Sequence, residues 1–152
     1  MSETGLIFLI VPGFFVCFGL FWSFIVFLIA HLGGWTGLAR AYPATEPPQG
    51  RSWTWTSARF GLVTSYRNSL NVTVSDTGLY LRPVFIFRVG HKPMLIPWNA
   101  IMAAQRSDLF FTSALRLDIR DGSGGTRRIT FYGKPLAEEL EPHLRRNRVS
   151  VG

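Results

Sequence analysis

The side chains able to do chemistry are few. The chain holds three histidines, His31, His91 and His143, and a single cysteine, Cys17. Of the histidines only His91 falls in a loop beside other charges. The stretch "FIFRVGHKPMLIPW", Phe85 to Trp98, sets Arg88, His91 and Lys92 between two apolar runs. Catalysis at His91 requires a nucleophile and an orienting partner converging on it. No Gly-x-Ser-x-Gly elbow and no His-rich pair accompanies it. The second chemistry is electrostatic: a lip of Arg82, Arg88 and Lys92, aided by His91, turned toward lipid phosphates. The third reading is a plain corner between strands. Elsewhere "DGSGGT" lacks the Lys-Ser/Thr of a phosphate-cradling loop and reads as a hairpin turn, with Asp118 and Asp121 as solvated acids beside it. A lone cysteine excludes a disulfide framework and a cysteine-based zinc site. No catalytic residue, metal or cofactor is assigned.

These residues depend on an unusual frame. From Gly5 to Ala30 there is no charged residue. About 20 apolar residues cross the hydrocarbon core as a helix, so residues 1–32 read as a transmembrane anchor. The preceding "MSET" lacks the basic residues of a secretory signal, and the run exceeds a signal's apolar region of about 7–15 residues. Glu3 is the only charged side chain before the anchor, whereas Arg40, Arg51 and Arg59 follow it. The positive-inside rule places the N-terminus outside and the remainder in the cytoplasm, at the inner (plasma) membrane of a cell. All 16 basic residues (14 Arg, 2 Lys) and eight of the nine acidic ones follow the anchor, an excess that attracts it to an anionic leaflet. Phe14, Phe18 and Phe21 recur on one stripe of the anchor. They face lipid, or they form an interface with another transmembrane helix.

Residues 33–51 are rich in Gly and Pro and read as a juxtamembrane linker. Trp35 reads as an interfacial anchor, with Leu38, Ala39 and Tyr42 completing a short amphipathic turn on the membrane surface. Residues 52–152 read as one domain. "RSWTWTSARFG" puts Trp53 and Trp55 on one face of a strand, and "SLNVTVS" and "LYLRPVFIF" follow with the same alternation. In the last of these Phe85, Phe87 and Val89 share one face and Ile86 and Arg88 the other. Two apolar faces mean burial on both sides, or an edge resting on something outside the domain. "ALRLDIRDGSGGTRRITFYG" is a hairpin, and "AIMAAQRSDLFF" fits a strand or a short helix. "KPLAEELEPHLRRNR" opens on Pro135, carries Leu136, Leu140 and Leu144 on one face, and is expected to kink or end at Pro142. The expected fold is an N-terminal transmembrane helix plus an α+β domain: a curved antiparallel sheet or partly open barrel of six to seven strands, closed by a C-terminal amphipathic helix.

"LNVTVSDTGLYL" followed by "LIPWNAI" resembles the pattern of pleckstrin-homology-like domains, in particular bacterial PH and GRAM-type domains. The resemblance covers residues 52–148. The chain also resembles small bacterial membrane proteins with one N-terminal helix and one such domain. Members of that wider fold bind phosphoinositides, other lipids or proteins. The dense basic loop of the phosphoinositide binders is absent, since "GLVTSYRNS" offers only Arg67. The resemblance implies a non-enzymatic, membrane-anchored module that binds the lipid surface, with weak affinity for anionic lipid, or a membrane or cytoplasmic protein. The alternative is an accessory subunit of a larger membrane complex docking through Phe14, Phe18 and Phe21. No zinc pattern, recognition helix or basic run with stacked aromatics points to nucleic acid.

Overall fold

The computed structural model describes residues 2–32, 34–61, 64–121 and 124–152. Helix α1, Glu3–Leu32, takes up the whole apolar segment and is long and apolar enough to cross a membrane. A short helix, α2 (Trp35–Ala41), follows at once. Its Leu-Ala-Arg-Ala stretch favours helix, and Pro43 stops it.

Seven strands form one antiparallel sheet: β1 (Arg51–Phe60), β2 (Thr64–Val74), β3 (Gly78–Pro83), β4 (Met94–Pro97), β5 (Ile101–Asp108), β6 (Ser113–Arg120) and β7 (Thr126–Tyr132). Their order is β4-β3-β2-β1-β7-β6-β5, so β1 joins a four-stranded half to a three-stranded half. The sheet curls around one core. Alternation supplies it: Leu70, Val72 and Val74 of β2, Leu79 and Leu81 of β3, Leu115, Leu117 and Ile119 of β6, and Ile129 and Phe131 of β7 are all buried. In the β6–β7 connection Asp121 holds the amide of Gly125 (2.9 Å). Gly122 and Ser123, the centre of the expected turn, lie outside the described residues.

Helix α3, Lys134–Arg146, closes the sheet with Leu136, Leu140 and Leu144 buried, as their spacing requires. The helix runs through Pro142 instead of ending there. Arg106 of β5 fastens it through Glu141 (2.9 Å).

Two local expectations are corrected. Trp53 and Trp55 do not share a face, because a bulge interrupts the β1–β2 register between Trp53 and Thr56. Trp55 takes a positive φ there and is exposed, while Trp53 packs against the core. Trp35 is no interfacial anchor. It is fully buried in the core with Leu38 and Ala39 beside it, so α2 lies under the sheet and not on a lipid surface.

Candidate membrane-contact site

Strands β3 and β4 pair only from Gly78 to Leu81 and from Met94 to Pro97. The intervening chain therefore leaves the sheet, and "FIFRVG" cannot be the strand its alternation suggests. It forms a 3-10 turn at Phe85–Phe87 and then a corner at Gly90, whose φ is +72°. The turn satisfies much of its own backbone: the amides of Phe87, Arg88 and His91 donate to the carbonyls of Val84, Phe85 and Arg88. Val84 just before the turn and His91 just after it pack inward. Phe85 is 80% exposed, Ile86 55% and Val89 41%. Phe85 is thus exposed, where a core strand would bury it, so of the two alternatives its alternation left open, burial on both faces is excluded. Trp98, at the other end of the stretch, is buried and donates to the Ser75 carbonyl (2.9 Å).

The turn rests on α1. The indole of Trp22 donates to the Ile86 carbonyl (2.8 Å), and its ring lies 5.4 Å from that of Phe87. Lower down, Gly90 presses against Phe27: a Cβ at Gly90 would stand 2.9 Å from the Phe27 ring and 3.3 Å from its Cα. Glycine is needed there for space as well as for its positive φ. On α1 residues 6–21 are all exposed, and the first side chain after them to be covered is Trp22. Val26 and Ala30, one turn apart, are buried against the domain.

The proposed basic lip is divided. Lys92 is exposed. Arg88 is half-buried, donates from Nε to the Pro83 carbonyl (3.2 Å), and lies over the Phe85 ring at 5.8 Å. Arg82 is half-buried on β3, opposite Asn71. His91 is not exposed at all: it is 2% accessible. Its Nδ1 donates to the Val89 carbonyl (3.0 Å), and its Nε2 accepts from the Tyr66 hydroxyl (2.7 Å). Trp35 and Tyr66 pack edge-on against its ring, and Trp35 Nε1 donates to the Lys92 carbonyl (2.8 Å). His91 therefore pins the corner to the core from inside and does not reach lipid. Burial explains this: a neutral imidazole with both nitrogens satisfied is tolerated where a charged one is not.

Burial pushes the His91 imidazole below its ordinary pKa, the Val89 carbonyl opposes this, and the nearby His31 adds to it. Burial, then Arg146, lowers His143 as well. Both groups bind protons more readily in the unfolded chain. Stability is then fully present above the unfolded value of about 6.5 and is lost as pH falls through the lowered folded values. The melting temperature of the full chain in mild detergent is expected to be flat from pH 8 to 7 and to fall between about pH 6.5 and 5, above the carboxylate range. His91→Gln with His143→Gln should flatten that fall, and an unchanged slope in the double variant would refute the assignment.

The Phe stripe keeps its open face: Phe14, Phe18 and Phe21 are all exposed, and Phe14, Phe18 and Trp22 stack in sequence at 6.2 and 6.4 Å. The structure also exposes a pair the sequence reading passed over. Phe110 and Phe111, between β5 and β6, are 94% and 92% exposed. Three apolar residues directly after the polar "QRSD" were the available signal. No protein-family model matches the chain, and no curated protein matches it in sequence.

Proposed function

We propose that the protein is a membrane-anchored module of pleckstrin-homology-like architecture, without enzymatic activity, that rests on the lipid surface through the turn at Phe85–Phe87. The curled antiparallel sheet closed by a C-terminal helix is compatible with that architecture. One observation carries the docking: α1 is free of the domain only as far as Phe21. At 1.5 Å per residue the free part, from Glu3, is about 28 Å long. The hydrocarbon core is about 30 Å thick. A bilayer that covers the free part of α1 therefore reaches the turn beside Trp22. The turn suits that depth, with exposed Phe85 and Ile86 outward and the Ile86 carbonyl held by the Trp22 indole. Arg88 and Lys92 follow it in the chain, where lipid phosphates would lie. On this reading the domain is on the Arg-rich, cytoplasmic side.

The test is thiol accessibility of the full chain in liposomes, in a Cys17→Ser background. Phe85→Cys and Ile86→Cys variants should react with a water-soluble maleimide at least tenfold more slowly than Phe110→Cys. The difference should vanish when the bilayer is dissolved in sodium dodecyl sulfate. Equal rates in intact liposomes would overturn the reading.

A second reading, an accessory subunit that binds a protein, is favoured by Phe110 and Phe111. One end of β6 meets α2, where the Tyr42 hydroxyl donates to the Arg120 carbonyl. The Phe pair precedes the other end, about 26 Å away along an eight-residue strand. The pair lies at the far end of that strand from the contact with Tyr42, and exposed aromatic pairs of this kind mark protein contacts. Phe14, Phe18 and Phe21 would serve the same role within the membrane.

A further inference from the structure

Beneath the turn, the end of α1, the helix α2 and the corner at Gly90 line an open cleft of about 440 Å³. Its apolar wall is Phe27, Ala39 and Pro43, and its polar groups are His31, Thr36, Arg40 and Lys92. Among the described residues no carboxylate lines it. Among the described residues neither Arg40 nor Lys92 has an acidic partner within ion-pair distance. The Thr36 hydroxyl is buried and has no hydrogen-bond partner. A buried hydroxyl without a partner is costly, and a cleft lined by Thr36 and by two cations without acidic partners suits an anionic oxygen ligand. The His31 Nδ1 is already spent on the Phe27 carbonyl (3.0 Å), which leaves Nε2 as its remaining polar atom.

We infer that this cleft is a binding site for the phosphate head group of an anionic phospholipid. Arg40 and Lys92 pair with the phosphate oxygens, and the Thr36 hydroxyl donates to one of them. The acyl chains run along α1 past Phe27, on the side where the turn at Phe85–Phe87 meets the helix. A choline head group is disfavoured, because its own cation would face Arg40 and Lys92 with no acid to receive it. The site also accounts for the fit at Gly90, which lets the corner close on Phe27 and form the floor of the cleft. This inference rests on the membrane-docked reading above, but it makes a separate demand: one retained lipid, chosen by charge.

Native mass spectrometry of the full chain, released from mild detergent after addition of phosphatidylglycerol or phosphatidylcholine, tests it. The wild type should retain one phosphatidylglycerol at least tenfold more often than phosphatidylcholine. Arg40→Gln with Lys92→Gln should reduce that retention about tenfold without changing the melting temperature, since both side chains are exposed. Thr36→Val, which keeps the shape and removes the hydroxyl, should reduce it several-fold. Equal retention of the two lipids, or undiminished retention in the double variant, overturns the site. Displacement of the lipid by millimolar inorganic phosphate, with no preference for the lipid, would overturn the lipid assignment in favour of a free phosphate. Maleimide labelling of Ile86→Cys, carried into the double variant, separates the two claims. Slow labelling with no retained lipid refutes the pocket alone, and fast labelling refutes the docked turn.

Discussion

Trp35→Ala should destabilise the folded domain by about 3–5 kcal/mol, the usual cost of emptying a large buried aromatic site. The indole is fully buried, 5.2 Å from the rings of Phe60 and His91 and 5.8 Å from that of Tyr66. Its removal also leaves the Lys92 carbonyl without its donor. For a domain of about 100 residues, each kcal/mol moves the melting temperature by about 4–8 °C, so a loss above 12 °C is expected. Trp55→Asn is the matched control. That side chain is 64% exposed and its φ is +56°, a conformation Asn accepts, so its loss should cost no more than about 0.5 kcal/mol. If both variants melt with the wild type in detergent, Trp35 is an interfacial residue after all and α2 is not part of the core. The result also fixes where a soluble version can begin: a chain starting at residue 52 lacks Trp35 and Leu38 and is expected to fold poorly.

Phe85→Asp with Ile86→Asp should have the opposite profile. Both side chains are mostly exposed, so the melting temperature in detergent should change little. In a bilayer the same pair is expected to contribute about 1.5–3 kcal/mol per side chain by leaving water. Carboxylates in their place would be opposed by up to about 2.5–3.5 kcal/mol each, less at the edge of the hydrocarbon. A net change above about 3 kcal/mol shifts docking by more than a hundredfold. Maleimide labelling of a Val89→Cys reporter in liposomes should therefore rise to the rate seen without a bilayer. A double variant that labels as slowly as its parent would remove the turn from the account.

The architecture was legible where one period ruled a segment. Alternation in β6 and β7 and the i, i+4 leucines of α3 led directly to buried faces, and the uninterrupted apolar run led to α1. The site was less legible, because its residues carry patterns that belong to something else. Phe85, Phe87 and Val89 alternate like a strand, yet the pairing of β3 with β4 ends at Leu81 and that with β2 at Pro83, so Phe87 turns to α1 while Phe85 and Val89 are left exposed. Trp35 stands where a helix leaves the membrane, which is the position of an interfacial anchor. Only the tertiary fold shows that Phe60, Tyr66 and His91 have built a pocket for it. His91 looks polar and loop-borne in sequence. The Tyr66 hydroxyl that satisfies it is 25 residues away, and no local pattern announces it.

A turn at Phe85–Phe87 that lies in the bilayer beside Trp22 has a depth that can be measured. Fluorescence quenching reads it most directly. Ile86→Cys, in the Cys17→Ser background and carrying an environment-sensitive fluorophore, is placed in liposomes doped with nitroxide lipids at graded depths. Strong quenching is expected from a nitroxide high on the acyl chain, weaker quenching from one at the bilayer centre, and little quenching from aqueous iodide. Efficient iodide quenching, with no response to any nitroxide lipid, would contradict that placement.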